Sequence, residues 1–307
     1  MNLVNFDQSK LLPQERFYAN GFELLKLGNY RNTSTKMVDI LRDLLENRQN
    51  NPLPEKFSWE QKMPNVFHLR PNVYEYNDVF LDFLFDNDID VALENLTGKR
   101  LHLCHAQVVI QTPGPPHQDW HRDSYQYGSD PFVGAFPAVV KVNFYPQFGS
   151  PEPRLKFIRG SHKCTANDPR FDNMLINKYE NEVLQSSNDQ VLMFESSMLH
   201  GVIPDTDPLG SIRVMYSFSM EHEYTKRFAN KEGHRLLHNK YETRIARRAN
   251  DSLENVENYI RQRLAEGYGG NPYAHNLEAE LKYDGAESAY ENIIDHIEWL
   301  KKKESSQ

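Results

Sequence analysis

The stretch from His117 to Asp123 contains two overlapping His-x-Asp pairs within seven residues. In an extended segment, residues two apart point to the same side, so the imidazole and the carboxylate of one pair can bind one ion together. A second histidine from a distant strand would complete a set of two histidines and one carboxylate, which holds non-haem Fe(II) and leaves coordination positions open. His200, shortly after the apolar run 191–194, is the candidate for this second histidine.

An arginine with a suitable position for anion binding follows this histidine. Arg213 lies thirteen residues after His200, in a β-type run, and its guanidinium can offer two parallel donors to a carboxylate. A lone His-x-Asp pair in a polar loop is more often solvated or part of a cap than bound to metal. Here the pairs, His200, Arg213 and the turn Gly160-Ser161-His162 occur together on or beside β-type runs. This combination predicts a metal site with an anion-binding arginine.

The middle of the chain has the texture of a β core. Between residues 99 and 223, short β-type runs, several of alternating polarity, are separated by Pro, Gly, Asn and Asp. Many short strands with loops between them predict a sandwich or a jelly roll. The runs are 101–111, 138–145, 155–158, 190–194 and 211–220.

Helical patterns flank this core on both sides. Thr33 or Ser34 is expected to cap an amphipathic helix, and a second helix is expected over 79–84. Asp251 and Glu254 fit a capping box in the C-terminal part. We predict a single domain, 1–307, with a helical N-terminal flank (1–98), a jelly-roll core (99–223) and a helical C-terminal flank (224–307).

In its His-x-Asp pairs, His200 and Arg213, the chain resembles the Fe(II)- and 2-oxoglutarate-dependent oxygenases, specifically the phytanoyl-CoA dioxygenase-like branch. The resemblance covers residues 101–220. In that family a double-stranded β-helix (jelly-roll, cupin-like) carries a His-x-Asp pair, a distal histidine and a later arginine. The segment from Phe157 to Lys163 also resembles the Pro-Gly-Ser-His turn of that branch, with Arg159 in place of the proline. The resemblance implies a mainly β core wrapped by N- and C-terminal helices.

The resemblance also favours one of the two His-x-Asp pairs. In the family an aromatic residue often precedes the ligand histidine, and Trp120 precedes His121. His121 also lies further than His117 from the Pro-Gly that ends the preceding run. The implied ligands are therefore His121 and Asp123, and His117 with Asp119 remains the alternative.

The function implied by the resemblance is oxidation of an unactivated C–H bond of a small molecule, with conversion of 2-oxoglutarate and O2 to succinate and CO2. His121, Asp123 and His200 would hold Fe(II). Arg213 would pair with the distal carboxylate of 2-oxoglutarate, with help from a hydroxyl such as Ser211 or Ser217. Hydroxylation, desaturation and oxidative ring closure are all compatible with this site, whereas halogenating relatives lack the carboxylate. The branch is often found in specialised metabolite biosynthesis.

Polar residues beside the motifs are candidates for substrate contacts, and they indicate a small, amino-acid-derived or carboxylate-bearing substrate. They are Arg122, Tyr125, Tyr127, Lys141, Asn143 and Arg159. Two other functions are alternatives to an oxygenase. One is a cupin-like metal-binding or structural protein without oxygenase activity, and the other is a non-oxidative metalloenzyme on the same barrel. Neither gives Arg213 a role.

Composition limits the remaining possibilities. The formal net charge of −8 and the pI of about 5.9 argue against nucleic acid as a partner. No run approaches the roughly 18 apolar residues of a membrane helix. The two cysteines cannot form a disulfide framework, and the N-terminus lacks an apolar signal core. We expect a cytoplasmic protein, a monomer or a homodimer, with no membrane partner.

Overall fold

The structure is a computed structural model. It describes residues 11–46, 58–70, 73–98, 101–115, 119–123, 139–146, 152–163, 169–179, 182–186, 189–203 and 210–219, and the positions 241, 244, 245, 248, 252, 254, 255, 258, 301 and 302. The helices are α1 (Pro13–Asn20), α2 (Tyr30–Glu46), α3 (Val73–Tyr76), α4 (Val79–Asp86), α5 (Ile89–Thr97) and α6 (Pro169–Lys178), and Ser161–Lys163 forms a 3-10 turn. The strands are β1 (Phe22–Lys26), β2 (Ser58–Met63), β3 (Val66–Arg70), β4 (His102–Gln111), β5 (Val139–Phe144), β6 (Glu152–Phe157), β7 (Glu182–Ser186), β8 (Gln190–Glu195), β9 (His200–Val202) and β10 (Ser211–Ser219).

The described strands form two sheets. The major sheet has seven strands in the order β1-β8-β5-β10-β4-β3-β2, and the minor sheet has three in the order β7-β6-β9. The pairings between these strands are antiparallel. Strands distant in sequence therefore lie side by side at the centre of the major sheet, where β10 pairs with both β4 and β5.

One face of the major sheet packs against helices. Side chains alternate between the two faces of a strand, and the even-numbered residues of β10 from Ile212 to Phe218 pack in one apolar cluster with residues of α2, α4 and α5. Phe83 of α4 stacks on Phe144 of β5 with ring centroids 4.1 Å apart. We call this apolar packing of helices on the sheet the outer layer. None of the described helices is long and apolar enough to cross a membrane.

The other face of the major sheet faces the minor sheet. Leu192 and Phe194 of β8 pack there on Leu155 and Phe157 of β6. Across the centre, however, most of the side chains that alternate with those of the outer layer are polar, with Val109 and Met215 as apolar exceptions. We call this set the polar wall: Gln107 of β4, Lys141 and Asn143 of β5, and Arg213 and Ser217 of β10.

The N-terminal flank differs from the prediction. It is not helical throughout, because it supplies β1, β2 and β3 to the major sheet, with β1 and β2 at its two edges. In the segment that becomes β1, FELLK, polarity does not alternate, and its pairing with β8 gives it strand structure. The expected cap at Thr33 or Ser34 is also wrong, since α2 begins at Tyr30 and buries both residues. The predicted helix over 79–84 is confirmed as α4.

The predicted helices of the C-terminal flank lie outside the described residues. Single described positions of this flank contact the outer layer. Tyr241 is buried, with its ring 5.5 Å from that of Phe85 and 5.9 Å from that of Phe218. Arg244 donates to Asp82 of α4 at 2.5 Å. Tyr241 and Arg244 therefore pack against α4 of the outer layer.

Candidate metal centre

The predicted ligands His121, Asp123 and His200 lie together. One ligand atom from each residue lies within 4.8 Å of the others. Nε2 of His121 is 3.7 Å from Oδ1 of Asp123, and Nε2 of His200 is 3.7 Å from Oδ2 of the same carboxylate. The three side chains are therefore close enough together to be the candidate ligands of one metal ion. We call these three residues the His-Asp-His cluster.

A pair of backbone hydrogen bonds brings the two halves of the cluster together. The N–H of His121 donates to the carbonyl of His200 at 2.8 Å, and the N–H of His200 donates to the carbonyl of His121 at 3.0 Å. This antiparallel pair is an isolated bridge, not part of a longer ladder. It joins segment 119–123 to the first residue of β9, so the two imidazole rings lie with centroids 4.3 Å apart.

Hydrogen bonds determine which nitrogen of each imidazole can bind a metal. Nδ1 of His121 is 2.7 Å from the carbonyl of Asp119, and Nδ1 of His200 is 2.9 Å from the carbonyl of Met198. Because a carbonyl only accepts, the proton of each neutral ring belongs on Nδ1. Nε2 of both rings is then unprotonated and faces Asp123, which is the arrangement that a metal ligand requires.

The charges of the cluster also suit a metal. Burial lowers the pKa of His200 to about 4, and the nearby carboxylate of Asp123 only partly offsets this. Burial acts to raise the pKa of Asp123, but the charges of Lys141, His200, His121 and Arg213 outweigh it and hold that pKa well below its usual value. At neutral pH His200 is therefore neutral and Asp123 is ionised, which are the forms in which these groups bind metal.

Arg213 lies beside a cleft between the two sheets. It pairs with Val109 of β4, and the cleft has about 300 Å³ of empty space, part of it open to solvent. Nε of Arg213 is buried and has no hydrogen-bond partner in the described part of the chain. A buried guanidinium N–H without an acceptor is suited to an anionic ligand. The cleft is lined by Val109, Gln111, Tyr145, Val202, Ile203, Ser211 and Arg213.

Comparison with known proteins gives a clear result at the level of structure only. No protein-family model matches the chain, and no curated protein matches it. EctD from S. alaskensis, with bound 2-oxoglutarate and 5-hydroxyectoine, superposes with a TM-score of 0.54 over 72% of this chain and 79% of that chain, at 12% identity. AviO1 from Streptomyces viridochromogenes Tue57 gives a TM-score of 0.53 at 14% identity, over 71% and 97% of the two chains.

A third similar structure is SnoN, a non-heme alpha ketoglutarate dependent epimerase from nogalamycin biosynthesis. It superposes with a TM-score of 0.52 at 11% identity, over 68% of this chain and 81% of that chain. The chain therefore shares the fold of these three solved structures. The predicted fold class, a mainly β core of the double-stranded β-helix type with flanking helices, is thereby confirmed, although the N-terminal flank is only partly helical, and the family resemblance is confirmed at the level of the fold.

Within this fold, the alternative His-x-Asp pair is less well placed. His117 lies outside the described residues. The side chain of Asp119 is 73% exposed, and its carboxylate accepts a hydrogen bond from Nζ of Lys156 at 2.7 Å. This hydrogen bond lowers the pKa of Asp119. The carboxylate of Asp119 is not part of the His-Asp-His cluster, which favours Asp123 as the ligand.

The two serines predicted to assist Arg213 lie at different places. Ser211 lines the same cleft as Arg213. Ser217 is on the same face of β10 but four residues further along, which is about 13 Å on an extended strand. It lies opposite Lys141 of β5 in the sheet register. Ser211 is therefore the serine that shares the anion cleft, whereas Ser217 belongs to the part of the polar wall nearer the cluster.

Two of the predicted substrate residues are in the polar wall. Nζ of Lys141 is 3.7 Å from Oδ2 of Asp123, and the side chain is 13% exposed. Asn143 is fully buried, and neither its amide nitrogen nor its amide oxygen has a hydrogen-bond partner in the described part of the chain. Lys141 therefore lies beside the cluster, and Asn143, two residues further along β5, shares its face of the sheet.

The other predicted substrate residues divide into three cases. Arg122 is a correction, because its side chain is fully buried in an ion pair with Asp172 of α6 and does not line the opening between the sheets. Arg159 is exposed, with its guanidinium carbon 5.5 Å from the centre of the Phe22 ring. Tyr125 and Tyr127 lie outside the described residues.

Sequence analysis did not single out Gln107. This residue is 7% exposed, lies opposite Met215 of β10, and its Oε1 has no partner among the described residues. A signal was available, because Gln107 and Gln111 interrupt the apolar run of β4 at even spacing and must share a face with Val109. His162 of the Gly-Ser-His turn is buried in the 3-10 turn, and its Nε2–H donates to the carbonyl of Tyr18 at 3.1 Å.

Proposed function

We propose that this protein is an Fe(II)- and 2-oxoglutarate-dependent oxygenase that oxidises an unactivated C–H bond of a small-molecule substrate. The observation that carries the proposal is the His-Asp-His cluster, with two Nε2 atoms facing one carboxylate in a fold whose solved examples include 2-oxoglutarate-bound EctD. Fe(II) and 2-oxoglutarate, with O2, are the proposed cofactor and cosubstrates.

The donor set of the cluster fits ferrous iron. Two neutral imidazoles and one ionised carboxylate are the ligands of the facial triad of non-haem Fe(II) oxygenases, which leaves three coordination positions open. A thiolate-rich set would instead have favoured zinc or an iron–sulfur cluster. When bound, the iron would supply the oxidation of the C–H bond, coupled to conversion of 2-oxoglutarate and O2 to succinate and CO2.

The residues of the chain would bind and orient the reactants. Arg213 would pair with the distal carboxylate of 2-oxoglutarate, with the Ser211 hydroxyl in the same cleft. Leu192, Phe194 and Phe157 belong to the apolar cluster between the two sheets, and they would limit the access of water to the metal site. Lys141 and Asn143 would contact the substrate or the oxo acid from the polar wall, in agreement with a carboxylate-bearing small molecule.

The outcome of the oxidation, hydroxylation, desaturation or ring closure, is a separate question. SnoN is an epimerase of the same fold, so the fold does not decide it. A role in specialised metabolite biosynthesis is part of the proposal, as is a single domain over 1–307. The cytoplasmic location, the state as a monomer or homodimer, and substrate contacts by Tyr125, Tyr127 and Arg159 remain predictions.

Anaerobic titration tests the proposal directly. Fe(II) and 2-oxoglutarate are added to the metal-free protein, and the visible absorption band of a chelated oxo acid is recorded. We expect a band that saturates with one equivalent of each. Absence of the band at saturating concentrations of both would overturn the oxygenase assignment and leave a metal-binding protein of another kind.

A variant of Arg213 separates the proposal from the two other functions. Arg213→Ala should raise the concentration of 2-oxoglutarate needed for half-saturation by roughly 10- to 100-fold, because hydrogen bonds to charged groups contribute about 1.5–3 kcal/mol. Arg248→Ala is the matched control, since Arg248 pairs with Asp90 on the far, helical side of the protein. If Arg213→Ala behaves like the control, a cupin-like protein or a non-oxidative metalloenzyme becomes the better assignment.

A further inference from the structure

Arg122 lies between two members of the His-Asp-His cluster, but its side chain points away from them. The side chains of His121 and Asp123 face His200, and Arg122, between them, points to the opposite side as expected for an extended segment. Its side chain is fully buried. This position is unsuitable for substrate contact, so the role of Arg122 must lie in what its guanidinium binds.

The guanidinium of Arg122 binds three separate segments. Nε donates to Oδ1 and Oδ2 of Asp172 at 3.0 and 3.2 Å, and Nη2 donates to Oδ1 of Asp172 at 2.8 Å. Nη1 donates to the carbonyl of Ser161 at 2.9 Å and also to the carbonyl of Ser197. One side chain therefore connects segment 119–123 to α6, to the 3-10 turn and to the residues that precede β9.

Two of these contacts lead directly to the distal histidine. Ser197 is three residues before His200 in the chain. Ser161, whose carbonyl accepts from Arg122, also accepts the N–H of Leu199 on its hydroxyl at 2.9 Å. Leu199 immediately precedes His200. Arg122 is thus bonded directly to one end of the segment 197–199, and through Ser161 to the other end, next to His200.

The backbone alone gives this arrangement little support. Among the described residues, segment 119–123 is joined to β9 by an isolated bridge, not by a strand ladder. Two backbone hydrogen bonds at one residue pair leave the segment free to rotate about that pair, whereas a planar guanidinium with several fixed acceptors restricts rotation. Residues that orient metal ligands from outside the coordination sphere commonly change metal affinity 10- to 100-fold.

We propose that Arg122 is a positioning residue, which sets the spacing between the His121–Asp123 pair and His200 through its bonds to Asp172, Ser161 and Ser197. The inference rests on the proposed metal site. It replaces the role in substrate binding that the sequence suggested for this arginine. It also assigns Asp172, on a helix outside both sheets, an effect on the metal centre.

The test uses Co(II) alone as the probe, under argon and without 2-oxoglutarate or substrate. The measured quantities are the dissociation constant, the visible Co(II) spectrum and the thermal midpoint of the metal-free protein. Arg122→Met should raise the dissociation constant about 10- to 100-fold and alter the spectrum. Arg122→Lys should not restore affinity, because the single nitrogen of an ammonium cannot reproduce the planar fork whose three nitrogens bond acceptors on three segments.

A matched control is available at the N-terminus. Arg16 of α1 makes a similar two-bonded pair with Glu23 of β1, at 3.0 and 2.8 Å. Arg16→Met should lower the thermal midpoint and leave Co(II) affinity unchanged. If Arg122→Met also lowers only the midpoint, the role of Arg122 is purely structural and the inference is overturned.

A double variant excludes a simple charge effect. Arg122→Met leaves the Asp172 carboxylate unpaired, and this charge could itself disturb the metal site. Arg122→Met/Asp172→Leu removes both charges. If Co(II) affinity returns to the wild-type value in the double variant, the unpaired charge caused the loss and positioning is wrong. A loss that persists supports positioning.

The inference can still be tested if Arg122→Met does not fold, and it can be separated from a failure of the metal site itself. If Arg122→Met does not fold, Asp172→Asn replaces it, with an expected loss of about 10-fold, and unchanged affinity in that variant overturns the inference. If the wild-type protein itself does not bind Co(II), the proposed metal site fails. Wild-type binding with unchanged variants overturns the positioning role alone.

Discussion

The two faces of the major sheet differ in the polarity of their buried side chains. In the outer layer, helices pack on the sheet through apolar side chains such as Phe83 and Phe144, both fully buried. On the inner side, the central strands present the polar wall, in which Asn143 is equally buried but has no hydrogen-bond partner among the described residues. A buried polar group without a partner costs about 1–3 kcal/mol. The comparison indicates that the apolar contacts of the outer layer stabilise the protein, whereas the polar wall lowers its stability. This is the arrangement expected if the polar wall binds the proposed ligands.

The largest expected effect is on the inner side, at the carboxylate of the cluster. Asp123→Ala should abolish turnover and lower Fe(II) affinity by more than about 100-fold, since even groups outside the coordination sphere contribute 10- to 100-fold. Metal titration and 2-oxoglutarate consumption measure this. Asp119→Ala, at a 73% exposed side chain, is the control and should bind Fe(II) as the wild type does. The reverse pattern would move the site to the His117–Asp119 pair.

The largest effect on stability should come from the outer layer. Phe83→Ala removes a fully buried ring that contacts Phe144 and Tyr216, and we expect the free energy of unfolding to fall by about 3–5 kcal/mol. The fraction that remains folded should keep its Fe(II) affinity. Urea unfolding and metal titration check the two parts. Val91→Ala, on the exposed side of α5, should change stability by less than about 0.5 kcal/mol. A loss of metal affinity in Phe83→Ala would contradict the division between the two sides.

A third prediction concerns how the buried imidazole of His162, which is outside the cluster, affects the dependence of stability on pH. Burial lowers the pKa of His162 from 6.5 to about 4. Between these values the unfolded chain binds a proton that the folded chain does not, so stability falls as the pH falls through this window, by at most about 3 kcal/mol. Urea unfolding of the metal-free protein at pH 7 and pH 4.5 measures this difference. In His162→Gln the difference should be smaller, and an unchanged difference would show that other groups cause it.

The smallest expected effect tests the cost of the polar wall itself. Asn143→Leu should raise the free energy of unfolding by about 1 kcal/mol, because it replaces an unpartnered buried amide with an apolar group, and should lower 2-oxoglutarate-dependent turnover. Ser34→Ala is the matched control, since Ser34 of α2 is a buried hydroxyl without a described partner in the outer layer. It should leave turnover unchanged. If Asn143→Leu is less stable than the wild type, the amide has a structural partner and the comparison fails at this residue.

Central strands of the core were predictable from the sequence. The predicted run 190–194 matches β8, and 211–220 matches β10, because apolar residues bounded by Gly, Pro and Asp specify a strand locally. The N-terminal strands β1, β2 and β3 were not predictable in the same way. The segment of β1 becomes a strand through pairing of Phe22 with Phe194, and a local pattern carries no information on such a distant partner.

The residue types of the site were predictable, but their neighbours were not. The order His-x-Asp, His and Arg is visible in the sequence, and the structure brings His121, Asp123 and His200 together. The sequence could not distinguish Ser211 from Ser217, because this depends on which segments from elsewhere in the chain lie beside each serine. It also assigned Arg122 to substrate binding, since its polar neighbours gave no sign of the ion pair with Asp172.

By itself, the sequence determined which chemical groups are available for the proposed metal site and the period-two spacing that places them on one side of a strand. Only the tertiary structure decided which carboxylate faces the two imidazoles, which arginine is buried in an ion pair and which has a donor without a partner among the described residues. The reason is physical: the direction of a side chain follows from local backbone geometry, whereas its burial, charge and hydrogen-bond partners come from segments that are far away in the chain.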